Sequence, residues 1–171
     1  MENFVYEKPY VFKTGKHKGQ LLEDLFFKEL SFIIYLNSKK GSFSFHLWEH
    51  LAFLLANSKK LEVKKICPIC QTNKVKFFYL LPKSVMAEKY TCCDNPTCRT
   101  AMRSRYHIER EFRIDFESLV NLPRKGLMDH AGRLFKVIYG LPRELKSDTT
   151  FNFFKKVVVP IDKDGQLHLS I

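Results

Sequence analysis

Apolar positions recur along the first third of the chain at helical spacing. Leu21, Leu22, Leu25, Phe26, Leu30, Ile33, Ile34 and Leu36 fall on a 3.6-residue period with Glu23, Asp24, Lys28 and Glu29 between them, which predicts one amphipathic helix. It is preceded by a short apolar stretch, "YVF" at residues 10–12, and by "KTGKHKGQ", where Gly15 and Gly19 signal tight turns. "KKGS" at 39–42 ends it. A second helix is predicted over 45–56, apolar nearly all round at Leu47, Trp48, Leu51, Phe53, Leu54 and Leu55, and therefore buried.

The pattern then changes period. "KVKFFYLL" at 74–81 and "KYTC" at 89–92 are rich in aromatic and β-branched residues and read as two strands of a hairpin. Farther on, Leu127, Met128, Leu134, Phe135 and Ile138 share one helical face, and Gly140 followed by Pro142 is a stop signal. Ser147 or Asp148 can cap a short helix through "TTFNFFKK", after which "KKVVVP" reads as a strand and "DKDG" as a turn. This mixture implies an α+β fold and lacks the regular alternation of a parallel-sheet enzyme. Three domains suggest themselves: a small helical one at 1–60, a β-rich one at 61–105 and a C-terminal, mainly helical α/β extension at 106–171.

Composition says that the chain folds. Its 171 residues are 45% hydrophobic with 16 Phe and 7 Tyr, enough for a core in one domain or two small ones. No charged stretch followed by an apolar leader opens the chain, and no run of about 18 apolar residues occurs. The expectation is a soluble protein of the cytoplasm, in a bacterial or phage-infected cell. A formal charge of +11 favours a polyanionic partner, because each Lys or Arg placed near a phosphate releases condensed counterions.

All five cysteines lie between residues 67 and 98. In a reducing compartment, cysteines at C-x2-C spacing are metal ligands more often than disulfides. Cys67 and Cys70 form one such pair around Pro68; the second pair ends at Cys98 and begins at Cys92 or Cys93, with Asp94, Asn95 and Pro96 supplying turn chemistry. Two short-spaced pairs on a hairpin suit tetrahedral Zn²⁺, as in a zinc ribbon. Four protein donors would leave no open coordination position, so the role expected of the metal is architectural.

"CPIC" followed by "EKYTCCDNPTC" resembles the zinc-binding proteins of the phage late-gene activator type, the Ogr/Delta family. Glu88, Lys89, Tyr90, Cys93, Asn95 and Cys98 match its second knuckle, an acidic residue, a basic residue, a tyrosine, then C-x-N-x-x-C and a short β continuation. The resemblance covers about 40 residues and implies Cys67, Cys70, Cys93 and Cys98 as ligands, with Cys92 spare. A competing resemblance, to topoisomerase zinc ribbons with C-x5-C spacing, would use Cys92 instead. Near the N-terminus, Phe12, Gly15, Lys16, Lys18, Gly19, Leu22, Glu23, Asp24 and Leu25 resemble the small C-terminal domain of exonuclease X-type proteins, without the tryptophan usual in that family's helix. That likeness spans about 25 residues and implies a nucleic-acid-associated accessory domain with no catalytic centre of its own.

Cations cluster around both motifs. Lys16, His17 and Lys18 occupy the glycine turn, which lacks the P-loop spacing because Gln20 follows Gly19. Lys64, Lys65, Lys74 and Lys76 lead into the cysteine segment, and Arg99, Arg103 and Arg105 follow it. These ten residues are the candidate nucleic-acid contacts, for DNA or RNA. Phe77, Phe78, Tyr79, Tyr90 and Tyr106 lie among them and suit base stacking, although of two strand neighbours only one can face outward.

Enzyme readings are weaker. "HLWEH" at 46–50 has the spacing of an inverted zincin, but lies in an apolar segment without a third ligand. The acidic residues are scattered, where a Mg²⁺-dependent nuclease needs them clustered. The function expected is that of a non-enzymatic, zinc-stabilised nucleic-acid-binding protein acting in phage or mobile-element transcription or DNA processing. The alternatives are a protein-interaction adaptor or inhibitor that docks onto a polymerase or nuclease, and an undetected nuclease.

Overall fold

In the computed structural model, the residues described are 6–158, apart from 40, 85, 117, 123, 124, 143 and 147. Among the described residues there are six helices and a small three-stranded antiparallel sheet, an α+β architecture. The helices are α1 (Leu22–Lys28), α2 (Leu30–Ser38), α3 (Phe45–Ser58), α4 (Pro96–Arg105), α5 (Lys125–Ile138) and α6 (Thr149–Val158). The strands are β1 (Phe77–Leu80), β2 (Thr91–Cys92) and β3 (Arg110–Arg113), in the order β2-β1-β3. Among the described residues, no helix is long and apolar enough to cross a membrane.

The single helix expected over residues 21–36 is two. The backbone leaves helical geometry at Glu29, with φ −133° and ψ 63°. Every residue from 22 to 27 is buried, including Glu23 and Asp24, so α1 runs inside the protein instead of along its surface. The chain has to bend at Glu29 for α2 to regain a solvent-facing side. Buried polar groups of α1 need partners. Asp24 accepts from the Thr150 hydroxyl of α6 and from Lys28 Nζ at 2.8 Å. Glu23 Oε1 accepts from Tyr6 OH at 2.8 Å, whereas Oε2 has no hydrogen-bond partner. Burial lifts the Glu23 carboxyl to about 6, against the opposing pull of its own amide, the Tyr6 hydroxyl and the Tyr10 amide.

The core of this helical body is aromatic. Phe26 and Phe27 of α1 meet Phe116 and Phe154 with ring centroids 5.1–6.4 Å apart, and Phe116 meets Phe135 of α5 edge-on at 5.4 Å. α5 approaches α1 and α2 closely. A Cβ on Gly132 would lie 3.1 Å from the Phe26 carbonyl and 3.2 Å from Leu30 Cβ, so glycine is what permits the crossing. The Ser31 amide donates to Asp129 of α5 at 2.8 Å.

Two expectations fail on burial. α3 was expected to be enclosed all round, but Trp48, Phe53 and Leu55 are only half-buried, and Leu47, Leu51 and Leu54 form its inner face. The strand expected from "KKVVVP" is replaced, through Val158, by the end of α6, because Phe151 and Phe154 anchor a helical face in the core and packing overrides β propensity. The "DKDG" turn and Ser147 lie outside the described residues.

The hairpin expected around the cysteines is present. β1 pairs with β2 in the register Phe77↔Cys92 and Phe78↔Thr91. β3, from the segment after residue 105, pairs along the other edge of β1, with Phe78 opposite Phe112. The Phe78 and Phe112 rings stack at 5.3 Å, and Phe78 meets Phe135 of α5 at 5.7 Å, which joins the sheet to the helical body.

Candidate metal centre

The first knuckle is "CPICQTN". Its chain turns so that the Cys67 amide donates to the Asn73 carbonyl at 2.8 Å and the Gln71 amide donates to the Cys67 carbonyl at 2.9 Å. Gln71 takes the left-handed conformation, φ 55°, at a cost that non-glycine residues rarely bear without compensation. The bend aims backbone amides at sulfur. Burial pushes the Cys67 thiol up, yet the amides of Cys70, Cys93 and Ile69 outweigh it and leave its pKa lowered. Cys70 is drawn down to about 6 by the Thr72 hydroxyl and the amides of Asn73 and Thr72.

The second half of the site is built differently from a ribbon. After Cys98 the chain continues as α4, not as the β continuation that the late-gene activator likeness implied. The reason lies in two residues whose chemistry suits a helix start as well as a turn. Asn95 is the N-cap, its side chain accepting from the Thr97 amide at 2.9 Å, and Pro96 occupies the first turn of the helix, where its missing N–H costs nothing. Cys93 follows the end of β2, and Cys98 lies in the first turn of α4, near the positive end of the helix dipole.

These elements bring the Sγ atoms of Cys67, Cys70, Cys93 and Cys98 within 4.8 Å of one another, with Cys70 and Cys93 at 3.9 Å. A tetrahedron with metal–sulfur bonds of ~2.3 Å has edges of ~3.8 Å, so the cluster could hold a metal ion with slight contraction. Cys67, Cys93 and Cys98 are buried and Cys70 is half-buried. Burial and the neighbouring thiols of Cys93 and Cys70 push Cys98 up to about 12. Thiols this crowded cannot all ionise without a cation among them. Cys92 is not a member of the group. It stays in β2, fully buried, with its sulfur 4.0 Å from that of Cys67, and burial raises its pKa strongly.

Most of the candidate nucleic-acid contacts have acidic partners. Lys64 and Lys74 both pair with Glu62, Lys76 with Asp94, and Lys65 with Glu88 at 3.1 Å. Arg99 and Arg103 share Glu111 of β3, the latter at 3.0 Å, and the Arg99 guanidinium lies 4.6 Å from the centroid of Phe77. In the glycine turn, Lys16 pairs with Glu29 at 2.8 Å. His17, expected on the exposed loop, is instead buried at 5% exposure against Phe32, 4.2 Å between centroids, with Nε2 3.8 Å from Glu29. The amides of Lys18, Gly19 and Gln20 are spent on the carbonyls of Gly15, Phe12 and His17, so this turn offers no row of free N–H groups. Lys18 and Arg105 are exposed, and among the described residues neither has an acidic partner.

No spacing in the sequence announces these pairings, since the acids stand up to 23 residues from their lysines. The helix start at Asn95-Pro96 did carry a signal, an N-cap residue followed by proline. In "HLWEH", His46 is exposed and His50 is buried at 2%. The two nitrogens of His50 lie 3.2 Å from the carbonyls of His46 and Lys8, which gives the ring structural contacts.

No family model matches the chain, and neither a curated protein nor a solved structure shows significant similarity to it.

Proposed function

We propose that this chain is a non-enzymatic, zinc-stabilised nucleic-acid-binding protein, a factor of phage or mobile-element transcription or DNA processing in the bacterial cytoplasm. The observation that carries the reading is a closed four-thiol cluster in a chain of charge +11. Four sulfurs in tetrahedral reach are a soft donor set that selects Zn²⁺ over Mg²⁺ or Ca²⁺, and four protein ligands leave no position for an activated water. The metal thereby fixes the knuckle, the sheet and α4 relative to one another. The surface ion pairs do not remove the long-range positive field, because exposed pairs are weak and exchange readily for phosphate.

The test is a mobility shift of the full chain with DNA and RNA at about 50 mM salt, repeated near 200 mM. Phosphate binding weakens steeply across that range, and absence of any shift at low salt contradicts the proposal. A second reading, a protein-docking adaptor, draws on the exposed aromatics Tyr35, Phe43 and Phe45, the last 74% exposed. An interface of that kind would retain its affinity at the higher salt.

A further inference from the structure

Five aromatic residues near the cysteines have the chemistry to stack on a base, and their surroundings leave one available. Phe78 and Tyr79 are fully enclosed and Tyr90 is 9% exposed. Phe77 is half-buried with the Arg99 guanidinium over its ring. Tyr106 differs in how its ring is covered: the cation over it, Arg105, is farther from the centroid and among the described residues has no carboxylate to hold it there, whereas Arg99 over Phe77 is held by Glu111. Tyr106 caps the C-terminus of α4 in an extended conformation, φ −131° and ψ 144°, and is half-buried, with its ring meeting Tyr90 edge-on at 4.9 Å.

The cations sort in the same way. Of the ten candidate contacts, seven are paired with carboxylates and His17 is buried. Arg105 is exposed, with its guanidinium carbon 5.9 Å from the Tyr106 centroid. Lys89 is exposed with Nζ 5.0 Å from the Tyr90 centroid. Among the described residues no carboxylate is paired with either. Two cations without a carboxylate partner thus lie over one pair of tyrosines, the inner ring propping the outer one from its edge.

We propose that Arg105, Tyr106, Tyr90 and Lys89 form a binding site for single-stranded nucleic acid, with an unpaired base stacked on Tyr106 and the adjoining phosphates on Arg105 and Lys89. This rests on the nucleic-acid reading above and gives it a place and a strand preference. Stacking on an aromatic platform requires a base free of its partner, which a duplex does not offer, and it accepts any base because every base has a π-face. Tyr90 acts as a positioning residue. The platform is fixed relative to the cysteine cluster, because Tyr90 directly precedes β2 and Tyr106 ends the helix that begins beside Cys98.

The experiment measures binding of the full chain, by fluorescence anisotropy, to a labelled single strand of about 20 nucleotides and to the matching duplex, across a salt series. The wild type should prefer the single strand. Tyr106→Leu, which retains apolar bulk, should weaken single-strand binding by roughly tenfold or more with little change in salt slope, and Tyr106→Phe should retain it. Arg105→Gln with Lys89→Gln should reduce the slope by about 0.7 for each phosphate that is no longer neutralised. Bound metal, measured in every variant, reports whether the fold is intact. If the wild type binds and neither Tyr106→Leu nor the double variant differs from it, this site is wrong while nucleic-acid binding stands. Preference for the duplex also overturns the site. Absence of binding by the wild type overturns the site and the function together.

Discussion

The helical body and the cysteine lobe reach order by opposite means. In the body, α1, α2, α3, α5 and α6 enclose Phe26, Phe27, Phe135 and Phe154, none of them with exposed surface, and stability comes from apolar area contributed by residues more than 100 positions apart. In the lobe, strands of two to four residues and one ten-residue helix would be marginal alone, and they bring together four sulfurs, from the knuckle, the end of β2 and the first turn of α4, that could hold a metal ion. A body of this kind tolerates in part the removal of any one side chain. A lobe held by a metal would depend on one centre, and the two regions meet where Phe78 packs on Phe135, where His130 bonds to the Met86 carbonyl and where the amides of Lys64 and Lys65 reach the Ile138 carbonyl.

The largest expected effect separates them most sharply. Removing the metal with a strong chelator, or substituting Cys67→Ser, should cost the lobe about 10 kcal/mol of metal-linked folding free energy. Amide hydrogen exchange should then rise to unprotected rates through β1, β2 and α4, while α1 and α5 keep most of their protection. Equal loss in both regions would show that they fold as one unit. Phe154→Ala is the converse test: it should destabilise the body by about 3–5 kcal/mol in chemical denaturation and leave the bound metal unchanged.

A smaller effect distinguishes the regions by pH. The Glu23 carboxyl in the body is raised by burial to about 6 from an ordinary value of 4.5, so the folded state favours its protonated form. Its stabilising contribution is complete below about pH 4.5 and is lost as pH rises through 6, a change of about 2 kcal/mol. Glu23→Gln should flatten that part of the stability profile. The lobe's exposed acids behave in the opposite sense. Hydrogen bonds from Lys64 and Lys74 hold Glu62 down to about 2, and the hydrogen bond from Lys76 lowers Asp94. Their small contributions are present above the usual carboxylate range and disappear in acid. A profile of Glu23→Gln parallel to that of the wild type between pH 4.5 and 7 would remove the buried carboxyl from the account.

Much of the lobe was legible in the sequence because its determinants are local. The C-x2-C knuckle, the aromatic strand at 77–80 and the helix start at Asn95-Pro96 each declare themselves within about ten residues. The body was legible in its helices and not in its packing. Nothing local distinguishes Glu23, buried, from Glu29, half-buried and paired with Lys16, although both interrupt the same apolar period. The break at Glu29 and the helix through Val158 are decided by partners in α5 and in the core, at distances along the chain where periodicity carries no information. The surface was least legible. Lysines and arginines that read as one basic cluster are mostly matched by carboxylates from other elements, and the two left without a match beside an aromatic pair emerge only in three dimensions.

Whether Cys67, Cys70, Cys93 and Cys98 together hold one metal ion is decided by elemental analysis of purified protein. The wild type and Cys92→Ser should each carry about one zinc per chain, whereas Cys93→Ser should lose it. Wild-type protein without metal, or zinc retained in Cys93→Ser and lost in Cys92→Ser, would contradict the account.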